Sequence, residues 1–364
     1  MTRVFNFSAG PATLPLTVLE EIQSDLMSYA GTGMSVLEMS HRGKTYIDIH
    51  EEVRQRLRNL LNVSSDYEIL LLQGGGRLQN VMIPMNLLTT KDDTADYLVT
   101  GFWGKSSSED VPHFGRLHLA WDGESTGYTR LPTPSEINLT PNAAYVHFTS
   151  NETIHGVQYA SSPGIKSAPL IADCSSDLLS KPMDVSKFGM VYACAQKTSG
   201  IAGTTIVMIR KDLLERSGKR VPGYLNYAKH AKSAESMLNT PPTFSVYVTG
   251  LICKWLQNEI GGLEKIERMN IDKAALLYSV IDQHAGFYRG HANKPDRSLM
   301  NVVFRTPSAE LDEKFATEAK GQMLSDLKGH RVLGGIRASI YNAMPLEGVQ
   351  TLAQFMTDFA LKNG

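Results

Sequence analysis

VYACAQKTSGIAG, Val191–Gly203, runs apolar and β-branched from Val191 to Ala195, meets one lysine, Lys197, and then turns on Ser199, Gly200 and Gly203. The run reads as a buried strand. Lysine is seldom buried, so an amine directly behind such a strand has two explanations. It marks the sheet edge, with its stem on apolar surface and its ammonium in water. Alternatively it sits in a partly dry pocket, where a depressed pKa lets it attack a carbonyl or an aldehyde. The stretch alone leaves both readings open.

Working outward, LIADCSSD (Leu170–Asp177) ends a second apolar run on Asp173. On local grounds alone Asp173 reads first as a turn or helix-cap residue. If the two runs are adjacent parallel strands, Asp173 and Lys197 reach the same edge of the sheet, the edge where open α/β sheets build their sites. LLLQGGGR (Leu70–Arg77) puts three glycines between a strand and a helix, where backbone amides can approach a phosphate. Its other reading is a tight turn that needs glycine dihedrals. It is neither GxGxxG nor GxxxxGK[ST]. A strand-end carboxylate, a strand-end lysine and a glycine turn are together what a pyridoxal phosphate enzyme needs. The aldehyde takes the lysine, the pyridinium nitrogen the aspartate, and the phosphate the glycines. Trp103, in GFWGKS, offers a flat apolar face for the ring.

The remaining pattern is an α/β protein. Apolar runs at 68–72, 96–99, 144–148, 169–172, 191–195 and 205–209 make six candidate strands, and 43–63 reads as an amphipathic helix through Ile49, Val53, Leu57 and Leu60. A helix is predicted from Arg77. Near Gly261-Gly262 the pattern changes to a long helix reaching about His284, a strand at 300–304 and a closing helix through Val349, Leu352, Phe355, Met356 and Phe359, so the domain boundary is placed there. The 364 residues carry 36 basic against 37 acidic side chains, so bulk charge predicts neither nucleic-acid nor membrane binding. Three cysteines with no CxxC spacing argue against a disulfide framework or a zinc site. No HExxH or GxSxG occurs, and no metal is expected. The start of the chain lacks a leader pattern, which predicts a cytoplasmic protein.

Cations cluster in short turn-like segments: Ser40-His41-Arg42-Gly43-Lys44, Lys328-Gly329-His330-Arg331, and Arg337 in GGIRASIYNAMP. Singly each reads as surface charge. Together they predict an anionic substrate with at least two acidic groups, since arginine forks fit carboxylate and phosphate oxygens.

FNFSAGPATLP, MSHRGK, QGGGR, SNETIHG, IADCSSD, AQKTSGIAG, LNTPPTF and KGHRVLGGIRASIYNAMPLEGV follow in order along nearly the whole chain. In these motifs the sequence resembles the phosphoserine aminotransferase family. The resemblance implies a fold-type I pyridoxal phosphate transferase, with a mostly parallel seven-stranded sheet in a large domain (16–260) and a smaller α+β domain (1–15 and 261–364). It implies a homodimer with sites at the subunit interface. The reaction implied moves an amino group between L-glutamate and 3-phosphooxypyruvate in serine biosynthesis, and many bacterial members also serve pyridoxal phosphate biosynthesis. Neither nucleic acid nor membrane is implied as a partner.

Carried over by position, Lys197 is the Schiff-base lysine and Asp173 the partner of the pyridine nitrogen. Trp103 stacks on the ring, Thr153 lies toward the phenolic oxygen, and Gly76, Arg77 and Gln196 hold the phosphate. Asn239 and Thr240 reach the phosphate in the neighbouring subunit. For the substrate, Arg337 matches the α-carboxylate arginine, Ser8 belongs to the substrate contacts, and His41, Arg42, His330 and Arg331 match the group around the distal phosphate. The family usually has Asn where this chain has Thr198, and the stretch 104–115 also departs from it. Another fold-type I enzyme, such as a desulfurase, would share Lys197 and Asp173 without needing the MSHRGK and KGHR clusters. A non-catalytic cofactor-binding module would not need Arg337.

Overall fold

The computed structural model describes residues 3–218 and 220–364. Seven strands form the main sheet: β1 (Tyr67–Leu72), β2 (Thr94–Val99), β3 (Arg116–Asp122), β4 (Tyr145–Thr149), β5 (Leu170–Asp173), β6 (Met190–Cys194) and β7 (Thr205–Arg210). Their order is β1-β7-β6-β5-β4-β2-β3. Only β7 is antiparallel to its neighbours, so the sheet is mostly parallel, as expected. The six apolar runs are all strands. The seventh, β3, lies at the sheet edge, where Arg116 and His118 interrupt its apolar residues and only Ala120 and Trp121 are buried, so it makes no such run.

The period of two places successive side chains in different cores. Ile69, Leu71, Val146, Phe148, Val191 and Ala193 join one cluster. Leu70, Leu72, Tyr145, Ile171, Tyr192 and Val207 join another on the opposite face. On the first face the helix Lys44–Leu60 buries Tyr46, Ile49, Val53 and Leu57 and packs against the helix Thr243–Trp255. Gly250 permits that approach, since a Cβ there would stand 2.8 Å from Val53 Cγ2.

A second, smaller sheet comprises β8 (Arg289–Gly290), β9 (Asn301–Arg305) and β10 (Ile336–Ser339), all antiparallel. Helices Leu263–Gln283, Ala309–Gly321 and Leu346–Asn363 complete a core rich in phenylalanine, with Phe304, Phe315, Phe355 and Phe359 together. The chain start returns to this core: Phe5–Asn6 pairs in parallel with Leu324–Ser325, and Phe7 is buried among its side chains. No helix among the described residues is long and apolar enough to cross a membrane.

Sheet polarity decides where chemistry sits. β1, β2, β4, β5 and β6 all end at one edge, so the segments after Leu72, Val99, Thr149, Asp173 and Cys194 converge there.

Candidate active site

Asp173 closes β5 and is paired in register with Tyr192 of β6, which brings it to the same edge as Lys197. Its Oδ1 accepts the backbone N–H of Ser175 at 2.9 Å. Burial raises the carboxyl, while the Ser175 hydrogen bond and the nearby Lys197 pull it down; the net direction is upward. Lys197 follows β6 in a turn. The N-terminal segment lies beside it: Ala12 N–H donates to Gln196 O at 2.9 Å, and a Cβ on Gly10 would stand 3.3 Å from Lys197 Cγ. Gly10, at φ +140°, is both conformationally and sterically suited to that approach.

Burial works to lower the Lys197 amine, but Tyr341, Cys194, Asp173 and Glu152 together raise it. The free lysine is therefore held as an ammonium, contrary to the depressed pKa that a dry pocket alone predicts. Burial alone does not decide the charge of this amine, because several acidic groups pack around it.

The glycine turn has a steric cause. Gly74 and Gly75 take φ +90° and +63°, and a Cβ on Gly74 would meet Leu78 Cδ2 at 2.4 Å. That left-handed pair lets the helix start at Gly75, two residues before the predicted Arg77. At Gly76 the Cβ position faces Ser175 Oγ at 3.8 Å and Tyr192 at 4.0 Å, leaving the amide of the first helical turn open to the cavity. Arg77 donates to Ser106 Oγ at 2.5 Å, and its guanidinium carbon lies 5.8 Å from the centre of the Trp103 ring.

Trp103 is tied at both ends. Its indole Nε1–H donates to Thr153 Oγ1 at 2.9 Å and its backbone N–H to Glu152 Oε2 at 3.0 Å. Glu152 also accepts from Gly104 N–H at 2.7 Å. Glu152 is wholly buried, and burial pushes its carboxyl up to about 7 against the pull of those two N–H groups. Lys197 Nζ lies 5.5 Å from the centre of the Trp103 ring.

These groups line a cavity of about 430 Å³ that also admits Arg337 and His330. Arg337, on β10, donates to Thr153 O at 3.3 Å. His330 stands 5.8 Å from the Phe102 ring; burial first, and then Arg337 and Arg331, lower its pKa. Of the fifteen predicted site residues, Gly76, Arg77, Trp103, Thr153, Asp173, Gln196, Lys197, His330 and Arg337 meet in this cavity. Arg331 is exposed beside it. Ser8 accepts from Gly10 N–H at 3.3 Å but leaves the wall to Ala9 and Gly10. His41, Arg42, Asn239 and Thr240 do not line it. Arg42 instead donates to Met237 O at 3.0 Å and Asn239 to Gln73 Oε1 at 3.0 Å, which joins the two distant segments on the surface beside the glycine turn.

Asn151 and Ser175 also line the cavity, and Ser106, Glu152 and Tyr341 hold its lining residues, none of them expected from the sequence. Glu152 lies inside the SNET motif beside Thr153, and Ser106 inside the divergent stretch 104–115. Thr198 is buried, with its hydroxyl lacking a hydrogen-bond partner among the described residues.

The family model described as Aminotransferase class-V matches residues 4–352. This chain belongs to the class-V aminotransferase family. Within it, the aminotransferase is 49% identical over 362 residues to the phosphoserine aminotransferase of Rhodopirellula baltica, covering 99% of this chain and 96% of that one. Its fold matches the phosphoserine aminotransferase from Bacillus circulans subsp. alkalophilus with a TM-score of 0.96 at 46% identity, over 100% of this chain and 99% of the other. The pyridoxal phosphate-bound phosphoserine aminotransferase from Trichomonas vaginalis matches at 0.91 and 37% identity, covering 97% and 99%. The enzyme is thus a transaminase with the fold-type I architecture.

Proposed function

We propose that the enzyme transfers an amino group reversibly between L-glutamate and 3-phosphooxypyruvate, forming 2-oxoglutarate and O-phospho-L-serine, with pyridoxal phosphate held in the cavity. The observation that carries this reading is the presence of Arg337 and His330 in the same cavity as Lys197 and Asp173. An amine and a carboxylate would serve any transaminase; the cations select an anionic substrate.

The residues present fit the cofactor. Asp173 is a half-buried carboxylate in the cavity wall, Gly75 and Gly76 open a helix N-terminus for a phosphate, and Trp103 offers a ring face fixed before any ligand arrives. Bound there, pyridoxal phosphate supplies the electron sink for breaking a substrate Cα–H bond. Asp173 would hold the protonated ring nitrogen and Lys197 the aldehyde carbon, and the Lys197 amine is the group placed to take and return the substrate Cα proton. Arg337 grips the α-carboxylate by its fork, while His330 and Arg331 hold the distal group, a carboxylate in one half-reaction and a phosphate in the other.

His41, Arg42, Asn239 and Thr240 act in the partner's site of a homodimer; their position on the surface, outside their own cavity, supports this. We assign 16–260 to the cofactor domain and 1–15 with 261–364 to the small domain, a division supported by the separate cores and by Phe7 in the second of them. The setting is cytoplasmic serine biosynthesis, and a related phosphorylated 2-oxo acid at the same site would serve pyridoxal phosphate biosynthesis. An assay with L-glutamate and phosphooxypyruvate tests the reading. Failure to turn over the phosphorylated acid better than its non-phosphorylated analogue overturns it.

A further inference from the structure

Lys273, on the helix Leu263–Gln283, is 1% exposed and has no carboxylate partner among the described residues. Its Nζ lies 3.1 Å from Ile340 O, 2.8 Å from Tyr341 O, 3.4 Å from Asn342 O and 3.2 Å from Met344 O. An ammonium has three N–H donors, so four oxygens around it share them. Backbone carbonyls at such distances are also how proteins seat a potassium ion. Burial pulls the amine down to about 7, while the surrounding carbonyl dipoles favour its charged form.

The turn that Lys273 gathers carries functional contacts. Tyr341 donates to Ala9 O at 2.9 Å and accepts from Asn301 Nδ2 at 3.2 Å. Ala9 and Gly10 wall the cavity beside Lys197. Asn342 donates to Leu179 O at 2.9 Å, tying the same turn to the segment that follows β5. Arg337 lies just upstream, on β10. Left unpaired, these inward carbonyls would repel one another in a dry interior.

We propose that the Lys273 ammonium is a positioning cation for the substrate site: it gathers the 340–344 turn, and through it holds Tyr341, the Ala9–Gly10 wall and Arg337. Its carbonyl seat accepts a small free cation once the side chain is removed. The inference rests on the reading of Arg337 as the carboxylate-binding residue. A structural lysine would affect folding alone, whereas a positioning lysine affects substrate affinity and is replaceable by a cation of the right size.

The test uses holoenzyme carrying Lys273→Ala, with n-propylammonium, potassium or tetramethylammonium at equal ionic strength. The melting temperature should fall and KM for L-glutamate should rise on the order of tenfold, with kcat changing less, because misplaced positioning groups weaken productive binding. Propylammonium, which replaces the missing carbons and charge, should restore both saturably; tetramethylammonium should restore neither. Equal effects of the two amines, or an unchanged KM in the folded variant, overturn the proposal. If Lys273→Ala does not fold, Tyr341→Phe decides. It keeps the ring and loses the bond to Ala9, so it should raise KM with little loss of melting temperature, and an unchanged KM overturns the proposal. Wild-type enzyme inactive on glutamate and phosphooxypyruvate would instead sink the functional reading, and recovery of melting temperature by propylammonium would still report the seat.

Discussion

Glu152 holds Trp103 by its main chain, accepting its backbone N–H at 3.0 Å, from a position 49 residues further along the chain. The helix Phe102–Ser108 begins there, and the first N–H groups of a helix have no partners within it. Glu152 satisfies those of Trp103 and Gly104, and Thr153 then fixes the indole edge. Gly101 makes room, since a Cβ on it would stand 2.5 Å from Glu152 Cδ. The ring is set in place by two consecutive residues of another segment.

This burial has a pH signature. The carboxyl of Glu152 is raised from 4.5 to about 7, so between those values the folded protein holds a proton that the unfolded chain has released. Its contribution to stability is full below the lower value and is lost as pH rises through the upper one. Melting curves of wild type and Glu152→Gln compared across that window should show the wild type losing ground as pH rises. Parallel curves would mean that Glu152 ionises at its ordinary value.

Lys197→Ala should abolish the covalent cofactor link, the visible absorption that accompanies it and the borohydride-reducible adduct. Lys273 is a fully buried lysine, its Nζ 2.8 Å from Tyr341 O. A reducible adduct mapped to Lys273 by peptide analysis would reassign the role.

Asp173→Asn should still bind cofactor but lose turnover on the order of 100-fold or more, because the amide does not keep a proton on the ring nitrogen as charge develops. Near-normal turnover would remove Asp173 from the chemistry.

Arg337→Lys keeps the charge and loses the fork that also reaches Thr153 O. KM for L-glutamate should rise roughly tenfold or more while cofactor attachment to Lys197 is unchanged, as expected for loss of a bidentate carboxylate contact. Conversely, His330→Ala with Arg331→Ala should weaken phosphooxypyruvate much more than a non-phosphorylated oxo acid. Equal losses for the two acids would confine that pair to a structural role.

The dimer reading predicts complementation. Lys197→Ala and the double variant Arg42→Ala/Asn239→Ala should each give nearly inactive homodimers. Co-refolding equal amounts makes about half the dimers hybrid, each with one intact site, so roughly a quarter of wild-type activity should return. Activity no higher than the sum of the parents, in a mixture shown to contain hybrids, would place Arg42 and Asn239 outside the partner's site.

What the sequence alone determined were the features whose signal is local. Continuous apolar runs around Leu70, Ile171 and Val191 mark strands buried on both faces, and a charge at the end of such a strand, as at Asp173 and Lys197, is conspicuous because water has to be near or a partner has to exist. Glycines at 74–76 are a local signal too, and at Gly74 and Gly75 the left-handed dihedrals disfavour any other residue. Tertiary structure alone decided the rest. Strand β3 has its apolar residues interrupted by Arg116 and His118, and only its pairing with β2 at the sheet edge makes it a strand. Glu152, Tyr341 and Lys273 read as ordinary polar residues along the chain. Their importance arises when segments far apart in sequence close around them and remove water, leaving each dependent on the few oxygens or N–H groups that folding brings within reach.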